Sequence, residues 1–179
     1  MKIALIVGHK STSQGATNKI YGISEYNINN LLIDNIINRY TGTHTLVKVL
    51  RTTYSILPLD INNQDPNFAI SLHANAYNTK VSGTEMLYYH NSVKGKLIAE
   101  VLQKNICNVL GLNNRGIKPK TAEDRGGYVL KYTKCPIVIA EPFFIDNDYD
   151  CDIFFKRRDT LIQCFIDSID QIGLIMGGA

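Results

Sequence analysis

Three short apolar runs constrain this chain more than any other feature. They are Ile3-Ala4-Leu5-Ile6-Val7, Phe68-Ala69-Ile70-Ser71-Leu72 and Ile137-Val138-Ile139-Ala140. A strand with one face in water alternates polar and apolar residues, whereas a run that is apolar at both parities is buried on both faces. Helical patterns separate these runs. Ser24 is placed to cap a helix with Ile28, Leu31, Leu32, Ile36 and Ile37 on one face and Gly42 at its end. Ser92 is placed to cap a second helix, with Leu97, Ile98, Val101, Leu102, Ile106, Val109 and Leu110 inward and Gly111 as its stop. A third spans residues 152–172, with Leu161, Ile162, Phe165, Ile166, Ile169 and Ile172 inward. Residues 45–50 and 83–89 read as further strands. Residues 9–23 read as a long loop, 52–67 as a connection without strong periodicity, and 113–127 as a polar segment. Strands alternating with helices predict an α/β fold with a central, mostly parallel (mixed) sheet and helices on both faces.

The 179 residues fit one domain, and 45% apolar with 20% charged residues is ordinary for a globular chain rather than a disordered one. A net charge of +3 favours anionic surfaces such as cell wall or nucleic acid without demonstrating either. No apolar run approaches the roughly 18 residues that span a bilayer, so no integral membrane segment is expected. Five consecutive apolar residues before Gly8 are too few for a secretory signal, and the N-terminus reads as a first strand. Cys107, Cys135, Cys151 and Cys164 form no CxxC pattern and are expected as buried free thiols in a reducing compartment.

Ligands of open α/β sheets bind beyond the carboxyl ends of the strands. His9, His73 and Glu141 each follow a strand, and Glu25 lies in the first turn of the first helix. Each has an ordinary reading: a hydrogen-bonded loop histidine, an acid stabilised by a helix N-terminus, or a partner for Lys131 or Lys134. A carboxylate at the desolvated rim after Ile137-Val138-Ile139-Ala140 nonetheless needs a charge partner, a metal or a function. Two histidines and a glutamate around an open fourth position make a hydrolytic zinc site, in which the metal lowers the pKa of a bound water to about 7. A further carboxylate then takes the proton. This assigns His9, Glu25 and His73 as ligands of one Zn2+ and Glu141 as the catalytic acid–base. His44 precedes a strand at its opposite end and His90 lies in a turn, so both read as surface residues.

Several blocks carry a family likeness. Ile6-Val7-Gly8-His9, Gly15-Ala16 and Glu25 form the first, and Ser71-Leu72-His73-Ala74-Asn75-Ala76 the second. Arg115-Gly116-Ile117-Lys118 follows, then Tyr128-Val129-Leu130 and Cys135-Pro136-Ile137-Val138-Ile139-Ala140-Glu141, continued by Phe144-Ile145-Asp146-Asn147 and Asp150. In this order they resemble the zinc-dependent N-acetylmuramoyl-L-alanine amidases of bacterial cell walls and phage endolysins, from residue 3 to about 170. The resemblance implies a sheet of about six strands, zinc on His9, Glu25 and His73, and Glu141 as general base and acid. The reaction it implies is hydrolysis of the amide between the lactyl group of N-acetylmuramic acid and L-alanine. The expected partner is peptidoglycan rather than nucleic acid, and a monomer is expected. Asn75 is read either as a ligand donor or loop-orienting residue or as a turn residue. Arg115 and Lys118 are read either as binders of stem-peptide carboxylates or as a solvated basic loop.

On this reading residues 1–179 form a single catalytic domain without a separate wall-binding domain. Absence of a signal suits a phage endolysin held in the host cytoplasm until release, with bacterial wall recycling as the alternative. The sequence departs from the family at Phe143, where relatives usually carry glycine, and in the short 52–67 segment, where relatives often carry a long helix and which predicts a more open groove. Two rivals remain. A zinc exopeptidase of related architecture usually has its His and Glu ligands close in sequence, against the gap of 16 residues here. A non-catalytic peptidoglycan-binding module with a vestigial site would be expected to have lost one of the four polar residues.

Overall fold

The three apolar runs lie side by side in the middle of one sheet. The computed structural model describes residues 1–178. In chain order its elements are β1 (Lys2–Val7), β2 (Thr17–Asn18), β3 (Ile23–Ser24), α1 (Glu25–Arg39), β4 (Thr45–Val49), α2 (Leu57–Asn62), β5 (Phe68–Leu72), β6 (Thr84–Tyr89), α3 (Val93–Leu110), β7 (Asn114–Lys120), α4 (Gly127–Tyr132), β8 (Ile137–Glu141) and α5 (Asp148–Gly177). The six-stranded sheet has the order β4-β1-β5-β8-β6-β7. All its pairings are parallel except that of β6 with β8, which is antiparallel, so the sheet is mixed as expected.

Period-2 alternation divides the buried side chains between the two faces. Ile3, Leu5, Phe68, Ile70, Leu72, Met86 and Val138 pack under the long helices α1, α3 and α5. Ala4, Ile6, Ala69, Leu87, Ile137 and Ile139 face the six-residue helices α2 and α4. Each fully buried large apolar side chain contributes about 1.5–3 kcal/mol.

Local signals place several boundaries. Ser24 and Ser92 accept from the backbone N–H groups of Asn27 and Gly95. Gly111 ends α3 in the left-handed conformation. Elsewhere the structure differs from the sequence reading. Helix α1 stops at Tyr40 rather than Gly42, and Leu31 is exposed because Ile28, Leu32, Ile33 and Ile36 define the buried stripe. Helix α5 starts earlier than residue 152, because the Asn147 side chain caps it by accepting from the Asp150 N–H. Within residues 9–23 the chain forms the small β2–β3 ladder. The polar segment after residue 113 contains β7, whose Pro119 is tolerated because the strand is at the sheet edge. The connection 52–67 contains only the six-residue α2. All four cysteines are free as expected, but only Cys151 and Cys164 are buried, while Cys107 and Cys135 are partly exposed; burial pushes the Cys135 and Cys151 thiols up to about 12.

Candidate active site

The carboxyl ends of β1, β5 and β8, neighbours in the sheet, bring His9, His73 and Glu141 to one edge. Gly8 N–H donates to the Leu72 carbonyl (2.8 Å) and His73 N–H to the Ala140 carbonyl (2.9 Å), so the ladders extend to the residues themselves. His9 has φ of 67°, a left-handed conformation costing a non-glycine residue about 1–2 kcal/mol. In extended backbone His9 would share the parity of Ile3, Leu5 and Val7. The left-handed turn is where it leaves that alternation, and its imidazole meets Glu25.

Glu25 opens α1 and is buried, with the side chain 1% exposed. Its Oε2 accepts from Ala16 N–H at 2.8 Å and lies 3.2 Å from His9 Nε2. Its Oε1 accepts from Ala74 N–H at 3.2 Å and lies 3.4 Å from His73 Nδ1. Gly15 makes this approach possible: a Cβ there would come within 2.6 Å of Glu25 Oε2 and 2.7 Å of His9 Cδ2. Burial alone would raise the Glu25 carboxyl, but the hydrogen bonds and charges of His73 and His9 hold it well below the usual carboxylate range. Burial pushes the His73 imidazole down, against the pull of Glu25, toward the neutral form that binds metals.

The three donor atoms lie within 4.8 Å of one another. Bonds of about 2.0–2.1 Å in a tetrahedron separate donors by about 3.3 Å. The imidazole–carboxylate separations of 3.2 and 3.4 Å fall to different oxygens of Glu25, one histidine on each, so a single ion would draw the three side chains closer than they lie here. Two imidazoles and a carboxylate are a donor set that suits zinc.

Glu141 ends β8 and is 8% exposed. Among the described residues nothing donates a hydrogen bond to its carboxylate; the nearby charges are Glu85, Arg125, Glu25 and Lys120 rather than Lys131 or Lys134. Burial first, then Glu85 and Glu25, push its carboxyl up to about 8 against Arg125 and Lys120. Glu141, His9 and His73 line one cleft of about 420 Å³, with Arg51, Tyr54 and Tyr128 on its walls.

The remaining expected site residues lie beside this cleft. Asn75 Nδ2 donates to Glu85 Oε1 at 2.8 Å, and Asn75 N–H to the Phe143 carbonyl at 2.9 Å. Arg115 Nε donates to Glu85 Oε2 at 2.7 Å, and its guanidinium lies 5.0 Å over the Phe144 ring. Asn75 and Arg115 border an adjoining hollow of about 330 Å³, while Lys118 sits on β7 opposite Leu87. His90 is exposed, and His44 contacts the N-terminal amine and stacks on Tyr40 away from the cleft. Phe143 is fully buried and stacks on Phe154 (4.6 Å), so it points into the helical layer rather than the cleft.

Sequence reasoning missed Glu85, Arg51 and Arg125. Glu85 faces Glu141 directly across the antiparallel β6–β8 ladder. A charged residue between Thr84 and the apolar and aromatic Met86-Leu87-Tyr88-Tyr89 was the available signal. Arg51, just beyond β4, was available through the same strand-end rule that found the histidines.

The chain is similar to known cell-wall amidases. The chain is 26% identical over 151 residues to the N-acetylmuramoyl-L-alanine amidase LytC of Bacillus subtilis, covering 80% of this chain and 29% of that protein. It is 32% identical over 89 residues to an uncharacterized cell wall amidase of Bacillus anthracis, covering 45% of this chain and 16% of that one. The matches thus span less than a third of either relative's length. The catalytic domain of the CD27L endolysin targeting Clostridia difficile superposes with a TM-score of 0.81 at 25% identity, covering 96% and 97% of the two chains. The N-acetylmuramoyl-L-alanine amidase family model matches residues 3–171, and the chain belongs to that family.

Proposed function

We propose that this chain hydrolyses the amide between N-acetylmuramic acid and L-alanine in peptidoglycan, with one zinc ion on His9, Glu25 and His73 and with Glu141 as general base and acid. The observation that carries the reading is the convergence of His9 and His73 on the buried Glu25, with both histidines lining one cleft together with Glu141, a buried carboxylate that receives no hydrogen bond. A bound zinc supplies Lewis acidity that polarises a carbonyl and acidifies a water. Glu141 takes a proton from the attacking water on its carboxylate oxygen and returns it to the departing amine. Its raised proton affinity suits the second half of that cycle, and a bound dication would lower it toward the value the first half needs. Backbone N–H groups of Ala16 and Ala74 hold Glu25 in place and keep both carboxylate oxygens ordered.

Likeness to an endolysin catalytic domain supports a role in host lysis, with the chain in the host cytoplasm until it reaches the wall. Zinc-loaded protein incubated with purified walls is expected to release free L-alanine amino termini and leave the glycan intact, as read by mass spectrometry. Release of single amino acids would instead establish an exopeptidase. Binding to walls without any product would establish a non-catalytic module.

A further inference from the structure

We propose that Arg51 and Arg125 form a receiving site for a carboxylate on the peptide part of the substrate, so that the chain distinguishes a free-acid stem peptide from its carboxamide. This rests on the amidase reading and adds the subsite that selects among stem peptides.

Both arginines line the cleft that holds Glu141, His9 and His73. Neither makes an ion pair among the described residues, whereas Arg39 and Arg115 are paired with Asp159 and Glu85. The Nε of Arg51 is buried without a hydrogen-bond partner. Such a donor is costly unless a ligand brings the acceptor. The Arg51 guanidinium lies 5.9 Å from the centre of the Tyr54 ring, which gives it a wall to lie on. Arg51, Tyr54 and Arg125 line the same cleft, and both guanidinium charges act on the Tyr54 phenol.

Arg125 is exposed and lines the cleft from a turn whose backbone path is tightly constrained. Gly126 has φ of 84°, and a Cβ at Gly127 would come 1.7 Å from the Thr121 carbonyl oxygen. The turn presenting Arg125 therefore tolerates no side chain at position 127. Asp124 on the same loop accepts from the Thr121 N–H and hydroxyl, and it and Glu123 are exposed at the rim. Planar guanidinium donors match a carboxylate; a carboxamide of the same shape loses the charge and turns an N–H toward them.

The test uses two synthetic muramoyl-L-alanyl peptides that differ only in a carboxylate or carboxamide on the residue after alanine. For the zinc-loaded enzyme, kcat/KM is expected to favour the acid by about 10–100-fold, mostly through KM. Arg51→Gln and Arg125→Gln should each bring that ratio toward parity. Equal cleavage of both peptides by the wild type overturns the inference and leaves the amidase reading intact. Equal losses on both peptides in the variants overturn it too. Calorimetry of both peptides on zinc-loaded Glu141→Gln gives a readout independent of turnover, and equal affinities there would also overturn it. No cleavage of either peptide counts against the amidase reading itself.

Discussion

The two faces of the sheet are built to different thicknesses, and the cleft opens on the thin one. Helices α1, α3 and α5, of 15, 18 and 30 residues, cover one face completely. On the other, α2 and α4, of six residues each, cover only part of the strands and leave the cleft. Strand β8 shows the consequence in a single element. Val138 and Ala140 go to the long helices, while Ile137, Ile139 and Glu141 share the opposite parity, so the glutamate enters the cleft. Residue parity thus decides which side chains stabilise the fold and which remain available to a substrate.

That difference can be broken first at Phe143. This aromatic ring is fixed in the thick layer against Phe154. Phe143→Ala should lower stability by about 3–5 kcal/mol in urea denaturation. A loss below about 1 kcal/mol would mean that the layer does not depend on it. Next comes Glu141, whose carboxyl is pushed up to about 8 in the folded protein, against about 4.3 in an unfolded chain. Between those values the folded state holds a proton that the unfolded state has released, so this group reduces stability progressively as pH rises from about 4 to 8. The advantage of metal-free Glu141→Gln over metal-free wild type should therefore grow across that range to a few kcal/mol at pH 8. A pH-independent difference would contradict the buried-carboxylate account. The smallest effect belongs to Tyr54, which is 42% exposed on the cleft wall. Tyr54→Ala should change stability by less than about 1 kcal/mol while weakening wall hydrolysis, a split that a thick-face residue would not show.

The same contrast explains what could be read from the sequence. The buried strands β1, β5 and β8 were legible because burial on both faces leaves apolar runs, broken within β5 only by the small Ser71. The starts of α1 and α3 were legible because Ser24 and Ser92 act within one turn. Strand β7 was not: Asn114–Lys120 is polar, with glycine and proline, and becomes a strand because β6 offers it an edge. Helices α2 and α4 are too short for periodicity to show, although Pro58 in the first turn of α2 was a local sign. His9, Glu25, His73 and Glu141 followed from the strand-end rule and the residue chemistry. The link from Glu85 to Asn75, Arg115 and Glu141 depends on which strands become neighbours, which no local pattern encodes.

The most direct test of the central claim, that Glu141 moves the proton beside a metal held by His9, Glu25 and His73, is Glu141→Gln assayed for zinc content and wall hydrolysis together. The account predicts one zinc per chain, as in the wild type, and hydrolysis reduced by about 10²–10⁴-fold. A variant that binds zinc and still hydrolyses walls at the wild-type rate would contradict it.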